Sequence, residues 1–408
     1  MPRSVKSLAI ASMALFVVIF SFGAGFGLSQ SLGQVSVPTT LVPNAANATT
    51  KSQEGGLKLG LIQEIWQVLN DEYVDKASLD ASKLTDGAID GLLETLGDAH
   101  TSYINAQHVK EEMATFRGSF DGVGAQVAMQ DKQIIIIAPI AGSPAEKAGI
   151  KAGDRILMVN GEPTDKMTLM EAVNKIRGPR GSKVKLGIIH AGETSPLVIE
   201  VVRDEIKTSS VSMKILPDNI AHIIISHFSE RTNDEIRPLL QDAKNKKVAG
   251  IILDLRNNPG GLLDVTVDVT GQFMKSGSVV LYQVDGAGKR QAWVAKSGGL
   301  VTDTPLAILV NKNSASGSEV LAGALQDVKR GPLIGTTTFG KGAVNHLREL
   351  SDGSALYVTF ARWLTPNGRL IEGQGLAPDI EIDLTEEDIT ANNDAQLKKA
   401  IEYIKNGQ

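Results

Sequence analysis

Two short segments carry residues that could break a covalent bond. The first, Asn311-Lys-Asn-Ser-Ala-Ser-Gly-Ser-Glu319, follows an apolar strand-like run and opens a helical pattern near Ser316. A serine at a strand-to-helix turn exposes its hydroxyl and sits at the positive end of the helix dipole. The same spacing fits a plainer part, because Ser316 and Glu319 also make the S-x-x-E of a capping box. The second segment is Thr338-Phe-Gly-Lys-Gly342. A lysine between two glycines, one step after a phenylalanine, predicts close backbone approach and partial burial. Burial lowers a lysine's pKa, and the neutral amine can then take the proton of a serine hydroxyl. Together the two segments predict a Ser–Lys dyad in place of a Ser–His–Asp triad.

Competing chemistries fare worse. Residues 335–341 match G-x-x-x-x-G-K, but Gly342 replaces the Ser or Thr that would bind Mg²⁺. The following Ala343-Val-Asn-His-Leu347 does not read as a helix, so a phosphate would find no helix N-terminus. Ser182 and Lys185 match S-x-x-K inside a strand pattern and read as a chance match. The chain has no cysteine, and none of its six histidines forms a close ligand pair, so neither a metal nor a cofactor is expected. His346 is the one rival base, and an exposed strand residue is the simpler account of it. A net charge of −5 lacks the basic footprint of a nucleic-acid partner.

The elements that must hold these segments lie in residues 206–385. Apolar strand-like runs recur at 220–225, 248–255, 278–282, 306–311, 333–334 and 355–360, with helical patterns at 232–244, 262–274 and 316–328. Strands alternating with helices predict a sheet covered by helices, with sites on loops at the carboxyl ends of strands. Three loops meet that condition: Asp254-Leu-Arg-Asn-Asn-Pro-Gly-Gly261, the 311–319 segment and the 338–342 segment. The whole chain has 408 residues, 42% hydrophobic and 21% charged, which is enough to bury more than one core and excludes a disordered chain.

Residues 118–205 read as a separate unit of short strands and glycine turns. The stretch Gly142-Ser-Pro-Ala-Glu-Lys-Ala-Gly-Ile-Lys-Ala-Gly-Asp-Arg-Ile-Leu-Met-Val-Asn-Gly161 resembles the PDZ family. That resemblance implies binding of C-terminal peptides, added as a strand beside a groove helix at 168–176. The free carboxylate would sit on backbone N–H groups of the loop Gly122, Val123, Gly124 and Ala125.

At the N-terminus Arg3 and Lys6 precede an uncharged apolar run over 8–26. Its length and flanking charge predict a membrane anchor over 1–29 with the catalytic part outside the cytoplasm, or a secreted protein if the segment is cleaved. A polar stalk over 30–56 follows. Residues 57–117 form a small helical region, with stripes at Leu61, Ile62, Ile65, Trp66 and Leu69 and at Leu84, Ala88, Ile89, Leu92 and Leu93. So short a hairpin must pack on the main domain or on a second copy. A homodimer through this region, or through the helical tail at 386–408, is expected as one arrangement. The fold class is mixed α/β: a βα-rich core that carries the Ser–Lys pair, an inserted β-barrel-like PDZ unit, the helical region and the N-terminal transmembrane segment.

Over about residues 57–384 the chain resembles the carboxyl-terminal processing, or tail-specific, proteases. Motifs that carry the resemblance are Gly97-Asp-Ala-His-Thr-Ser-Tyr103, the PDZ unit, the 253–261 loop, Ser314-Ala-Ser-Gly-Ser-Glu319, Phe339-Gly-Lys-Gly342 and Glu372-Gly-Gln-Gly-Leu-Ala-Pro-Asp379. The family places its nucleophile 25 residues before its lysine, and Ser316 alone stands 25 before Lys341. The resemblance further implies an oxyanion hole from the N–H groups of Gly317 and Gly261, with Gly260 as the near alternative. It implies a serine endopeptidase acting through an acyl-enzyme on proteins or peptides with apolar C-terminal tails. One position departs from the pattern: the family usually has Gln where Asn345 stands, and Asn reaches one methylene less far to hold the base. The alternative is therefore a catalytically impaired PDZ scaffold of the cell envelope, and a weaker one a Ser–His hydrolase of small esters. Asp327 and Arg256 also match family positions and read as structural ion-pair residues.

Overall fold

The computed structural model describes residues 56–407 apart from 131, 297, 298 and 392. The expected anchor over 1–29 and all but the last residue of the stalk lie outside the described residues. Among those described, no helix is long and apolar enough to cross a membrane. The chain divides into two units, one holding residues 121–206 and the other 55–120 with 207–408.

The larger unit is built on a six-stranded sheet. Its strand order is Val211–Leu216, Ile220–Ile225, Gly250–Asp254, Leu306–Val310, Leu333–Gly335 and Ile380–Glu381. The first pair is antiparallel and every later pair is parallel. Both faces of the sheet are covered, so its strands are apolar at nearly every position rather than alternately. Ile251, Leu253, Ile308 and Val310 face one core with the helices Thr232–Asn245, Leu263–Thr270 and Gly317–Asp327. Ile252, Ala307 and Leu309 face another with Ala400 and Ile404 of the tail helix Ala395–Asn406. That helix therefore gives the face that carries Ala400 and Ile404 to its own sheet.

The parallel strands run the same way, so the three loops that follow them, at 254–261, 311–316 and 336–342, emerge at one edge. A second, antiparallel sheet of five strands includes Ser102–Ile104, Val279–Asp285, Ala343–Glu349 and Ala355–Leu364. The residues after Lys341 enter this sheet and form no helix, which removes the nucleotide-binding reading of 335–341. The helix expected over 262–274 stops at Thr270. Beyond it Gln272 and Phe273 donate to carbonyls three residues back, a tighter winding than an α-helix. The periodicity also passed over the helix Ala106–Arg117. Its caps are orthodox: Asn105 accepts the N–H of His108, and Gly118 ends it at φ +66°.

The helices Leu59–Glu72 and Ala81–Glu94 appear where the stripes predict them, yet neither has a buried residue. Leu61, Ile62 and Ile65 stand at 53%, 54% and 53% exposure. Trp66 and Leu69 of the same stripe are half-buried, so the expected packing on the main domain leaves Leu61, Ile62 and Ile65 uncovered.

The smaller unit is a six-stranded antiparallel sheet with two short helices, Pro144–Lys147 and Leu169–Ile176. Its own core includes Ile134, Ile136, Val159, Ala172, Val184 and Leu186. Strand Ala125–Gln130 is an edge, paired only with Gln133–Pro139. A capping box on Thr168 and Glu171 starts the helix Leu169–Ile176.

Candidate active site

The three loops at the sheet's carboxyl edge are fastened to each other by buried side chains. Asn258 is fully buried; its Nδ2 donates to the Ile225 carbonyl at 2.9 Å, and its Oδ1 accepts the Gly260 N–H at 2.8 Å. The Asn258 carbonyl accepts the Ala315 N–H and the Ser318 hydroxyl, joining this loop to the serine loop. The Phe339 N–H donates to the Ser314 carbonyl, joining the serine loop to the lysine loop.

The three serines of the 314–318 stretch are not equivalent. Ser314 and Ser318 are fully buried, and their hydroxyls donate to the carbonyls of Leu255 and Asn258 at 2.9 and 2.8 Å. Ser316 is only half-buried, and its hydroxyl donates to nothing among the described hydrogen bonds. Its backbone sits at φ +51°, ψ −113°, a conformation that costs a non-glycine residue on the order of 1–3 kcal/mol and persists where the surroundings impose it. The helix Gly317–Asp327 begins at the next residue.

Gly260 packs against Ser316: an added Cβ there would stand 2.8 Å from Ser316 Cβ and 2.7 Å from the Gly317 nitrogen. The Gly260 N–H is engaged by Asn258, whereas the N–H groups of Gly261 and Gly317 donate to nothing among the described hydrogen bonds. Gly261 is bridged to Phe228 at φ +144°, so closely that an added Cβ would stand 2.1 Å from the Phe228 carbonyl oxygen. No side chain can occupy that position without moving the backbone that presents the N–H.

Glu319 is the junction of the site. It is fully buried, and its carboxylate accepts four hydrogen bonds: from the Ser316 N–H at 2.9 Å, the Thr338 hydroxyl at 2.5 Å, the Gly340 N–H at 2.6 Å and the Lys341 N–H at 2.9 Å. Burial pushes its pKa up, and the four donors oppose the shift. The capping role read from the sequence is therefore real but partial, because the same carboxylate also anchors the lysine loop.

Lys341 is half-buried, and loss of hydration pushes its ammonium below the usual lysine range. Four carboxylates, Glu112, Glu372, Asp98 and Glu319, oppose that shift from nearby, but none forms an ion pair with it. The flanking glycine on its far side sits in tight contact: a Cβ on Gly342 would stand 3.0 Å from the backbone nitrogen of Glu372. Trp363 Nε1 donates to the Lys341 carbonyl at 3.0 Å, and Glu372 Oε2 accepts the Gly342 N–H at 2.8 Å.

The Asn345 Nδ2 donates to the His100 carbonyl at 2.9 Å and to the Thr359 hydroxyl at 3.1 Å, while its Oδ1 is buried without a partner. His346, one residue on, is exposed and stacked on Phe360 at 3.6 Å, so it is a surface strand residue. Asp327 is bound to Arg369 and to the Asn367 N–H. Arg256 bridges Asp254 and Asp394. Both are structural, as their positions suggested. Among the described residues no cluster of acidic or histidine side chains could hold a metal ion.

In the smaller unit the carbonyls of Val123 and Gly124 accept from Ala145 and Ile140, each at 2.8 Å. The N–H groups of these two residues donate to nothing among the described hydrogen bonds. Gly122 ends one strand and Ala125 begins the edge strand, so the loop lies beside an unpaired strand edge.

Residues 219–382 match peptidase family S41, and residues 113–189 match the PDZ domain family. Residues 20–108 match the N-terminal domain of the activating protease CtpB. The carboxy-terminal processing protease CtpA of Bacillus subtilis is 37% identical over 358 residues, spanning 88% of this chain and 73% of the relative. A carboxy-terminal-processing protease of Bartonella bacilliformis is 37% identical over 371 residues, spanning 90% and 82%. This chain belongs to the carboxy-terminal processing proteases of family S41. A solved S41 protease from Bacteroides fragilis, described as putative, shares the fold, with a TM-score of 0.51 at 16% identity over 85% of this chain and 97% of that one.

As a carboxy-terminal processing protease the chain is a serine-type peptidase with a PDZ domain suited to peptide binding, which bears out the resemblance carried by its motifs. Its site also recruits residues that spacing did not single out: Thr338, Glu372, His100 and Trp363. Glu372 and His100 sit inside quoted motifs, but only contact distances reveal what they hold. For Glu319 the contacts yield a direct expectation. Glu319→Gln places an amide donor among four donors, so kcat should fall at least tenfold with a lower Tm. Peptide turnover and a circular-dichroism melt check it, and unchanged kcat would show that the junction does not set the site.

Proposed function

We propose that this peptidase binds apolar C-terminal tails of proteins and peptides through its PDZ domain and cleaves them with Ser316 as nucleophile and Lys341 as general base. One observation carries the reading: the hydroxyl of Ser316 is free to donate while those of its two neighbouring serines are engaged. The neutral Lys341 amine takes the Ser316 proton as Oγ attacks the scissile carbonyl carbon. The carbonyl oxygen becomes an oxyanion, and in this reading the otherwise uncommitted N–H groups of Gly261 and Gly317 donate to it. Lys341 then gives its proton to the leaving amine, and an acyl-enzyme remains. Water, deprotonated by Lys341, attacks the acyl carbon and frees Ser316. The tail lies as an added strand along Ala125–Gln130, its carboxylate over the N–H groups of the 122–125 loop.

The apolar segment at 8–26, with Arg3 and Lys6 before it, holds the protease to the membrane with its catalytic part outside the cytoplasm. The exposed stripe at Leu61, Ile62 and Ile65 pairs two copies through the N-terminal helices. A second reading, an impaired PDZ scaffold, has one observation in its favour: the buried, unpartnered Oδ1 of Asn345.

Ser316→Ala and Lys341→Ala should each abolish cleavage of a tailed peptide to a similar extent, because the pair acts as a unit, and His346→Ala should retain most of it. The base works only when deprotonated, so kcat/KM should rise with pH through the folded pKa of Lys341, below the ordinary lysine range. Near-wild-type turnover by Lys341→Ala would reject the dyad.

Tail reading is checked in the full-length Ser316→Ala protein by calorimetry. A peptide with a free, apolar C-terminus should bind at least tenfold more tightly than its amide, and equal affinities would remove the carboxylate from the recognition.

Asn345→Gln restores the longer amide. If the scaffold reading is right, kcat should rise severalfold with KM little changed, because the base's position matters only as the proton moves. A fall in kcat would instead mark Asn345 as fitted to a competent site.

A further inference from the structure

Lys341 stands among carboxylates, and an ion pair with any of them would hold it protonated and useless as a base. Each of those carboxylates is engaged elsewhere. Glu319 accepts its four donors, Glu112 accepts the Tyr357 hydroxyl at 2.9 Å, and Asp98 accepts the His100 N–H and the Thr101 hydroxyl. Glu372 lies close along the chain path and, unlike Glu319, is not saturated by four donors: its Oε2 accepts the N–H of Gly342, the residue after the lysine. Its other oxygen, Oε1, is 2.6 Å from His100 Nε2, and Arg362 NH1 approaches Oε2 at 3.6 Å. A carboxylate only accepts, so the proton of this short bond resides on Nε2. Both side chains are mostly buried, at 15% and 26% exposure, so water competes weakly for the bond. The backbone carbonyl of the same histidine accepts Asn345 Nδ2. His100 thus holds two groups at once: the Glu372 carboxylate through its ring and the Asn345 amide through its carbonyl.

We infer that His100 is a positioning residue of the reaction, one that ties up the Glu372 carboxylate so that it cannot pair with Lys341. This inference rests on Lys341 being the general base. No proton passes between His100 and substrate, and the ring does not replace the lysine. Freed from the ring, Glu372 Oε1 would lose its partner while Oε2 kept the Gly342 N–H and the long approach of Arg362, and the lysine ammonium, whose pKa Glu372 already raises, would be the cation open to it. The charged groups that act on the lysine are then Glu372, Glu112, Asp98 and Glu319, with Arg362 against Oε2 and His100 against Oε1 of Glu372.

The test is the pH dependence of kcat/KM on a tailed peptide, with the rate of Ser316 labelling by a sulfonyl fluoride followed in parallel, both on the full chain. In His100→Leu the lower limb of both profiles should move to higher pH by about one unit, a roughly tenfold loss at fixed pH on that limb. His100→Gln keeps a donor toward Glu372 and should leave the limb close to wild type. Glu372→Gln removes the carboxylate and should move the limb to lower pH. The double variant His100→Leu/Glu372→Gln should return it to or below the wild-type position. If His100→Leu proves unfolded by its melt, the smaller truncation His100→Ala takes its place, with the same upward shift of the limb expected. A uniform loss at all pH values with an unmoved limb, or an unmoved limb in Glu372→Gln, would overturn the proposal. A limb that persists in Lys341→Ala would instead overturn the base assignment, and this inference with it.

Discussion

A single buried carboxylate makes this site one object. Glu319 belongs to the helix that starts at the candidate nucleophile, and it reaches the loop of the candidate base through three separate donors. Burying a carboxylate is costly unless its oxygens are satisfied, and here four donors satisfy them. Once that bargain is struck, neither the serine turn nor the lysine loop can shift alone. The positive φ of Ser316 is held by the same contacts, since its own N–H ends on Glu319.

The sheet makes that arrangement available. Parallel strands deliver their following loops to one edge, and burial of both faces keeps the strands from sliding. The tail helix closes one face and reaches the edge as well. Asp394 at its start and Gln396 in its first turn hold the Arg256 guanidinium, which also grips Asp254 at the end of a central strand. Burial alone would raise the pKa of Asp254, but His222 and Arg256 outweigh it and hold the carboxylate ionised. The loop that carries Gly260 and Gly261 thus starts from a fixed post, and Asn258 fixes it again three residues before Gly261.

Electrostatics at the lysine are settled by partition rather than by absence of charge. Acidic groups surround Lys341, yet each has a donor of its own, and desolvation of the ammonium prevails. Such a balance depends on side chains from four separate stretches of chain: the 97–103 turn, the helix Ala106–Arg117, the helix Gly317–Asp327 and the 372–379 turn. The N-terminal helical region therefore contributes to the site through Asp98, His100 and Glu112, although neither of its first two helices has a fully buried residue.

Local rules were enough for much of this molecule. Apolar runs located the central strands to within a residue or two, because both sheet faces are buried and leave little sequence freedom. Loop position after parallel strands brought the 254–261, 311–319 and 338–342 segments together, and glycine on both sides of Lys341 anticipated the close contact with Glu372. Short edge strands such as Val211–Leu216 and Arg290–Val294 escaped, since half-exposed strands carry weak patterns. The choice among three serines could not be read from their own neighbourhood: Ser314 and Ser318 are distinguished only by carbonyls 59 and 60 residues away. The same holds for His100 and Glu372, which meet across 272 residues. Periodicity and capping act over a few residues, whereas a buried hydrogen bond is decided by which distant segments the core packs side by side.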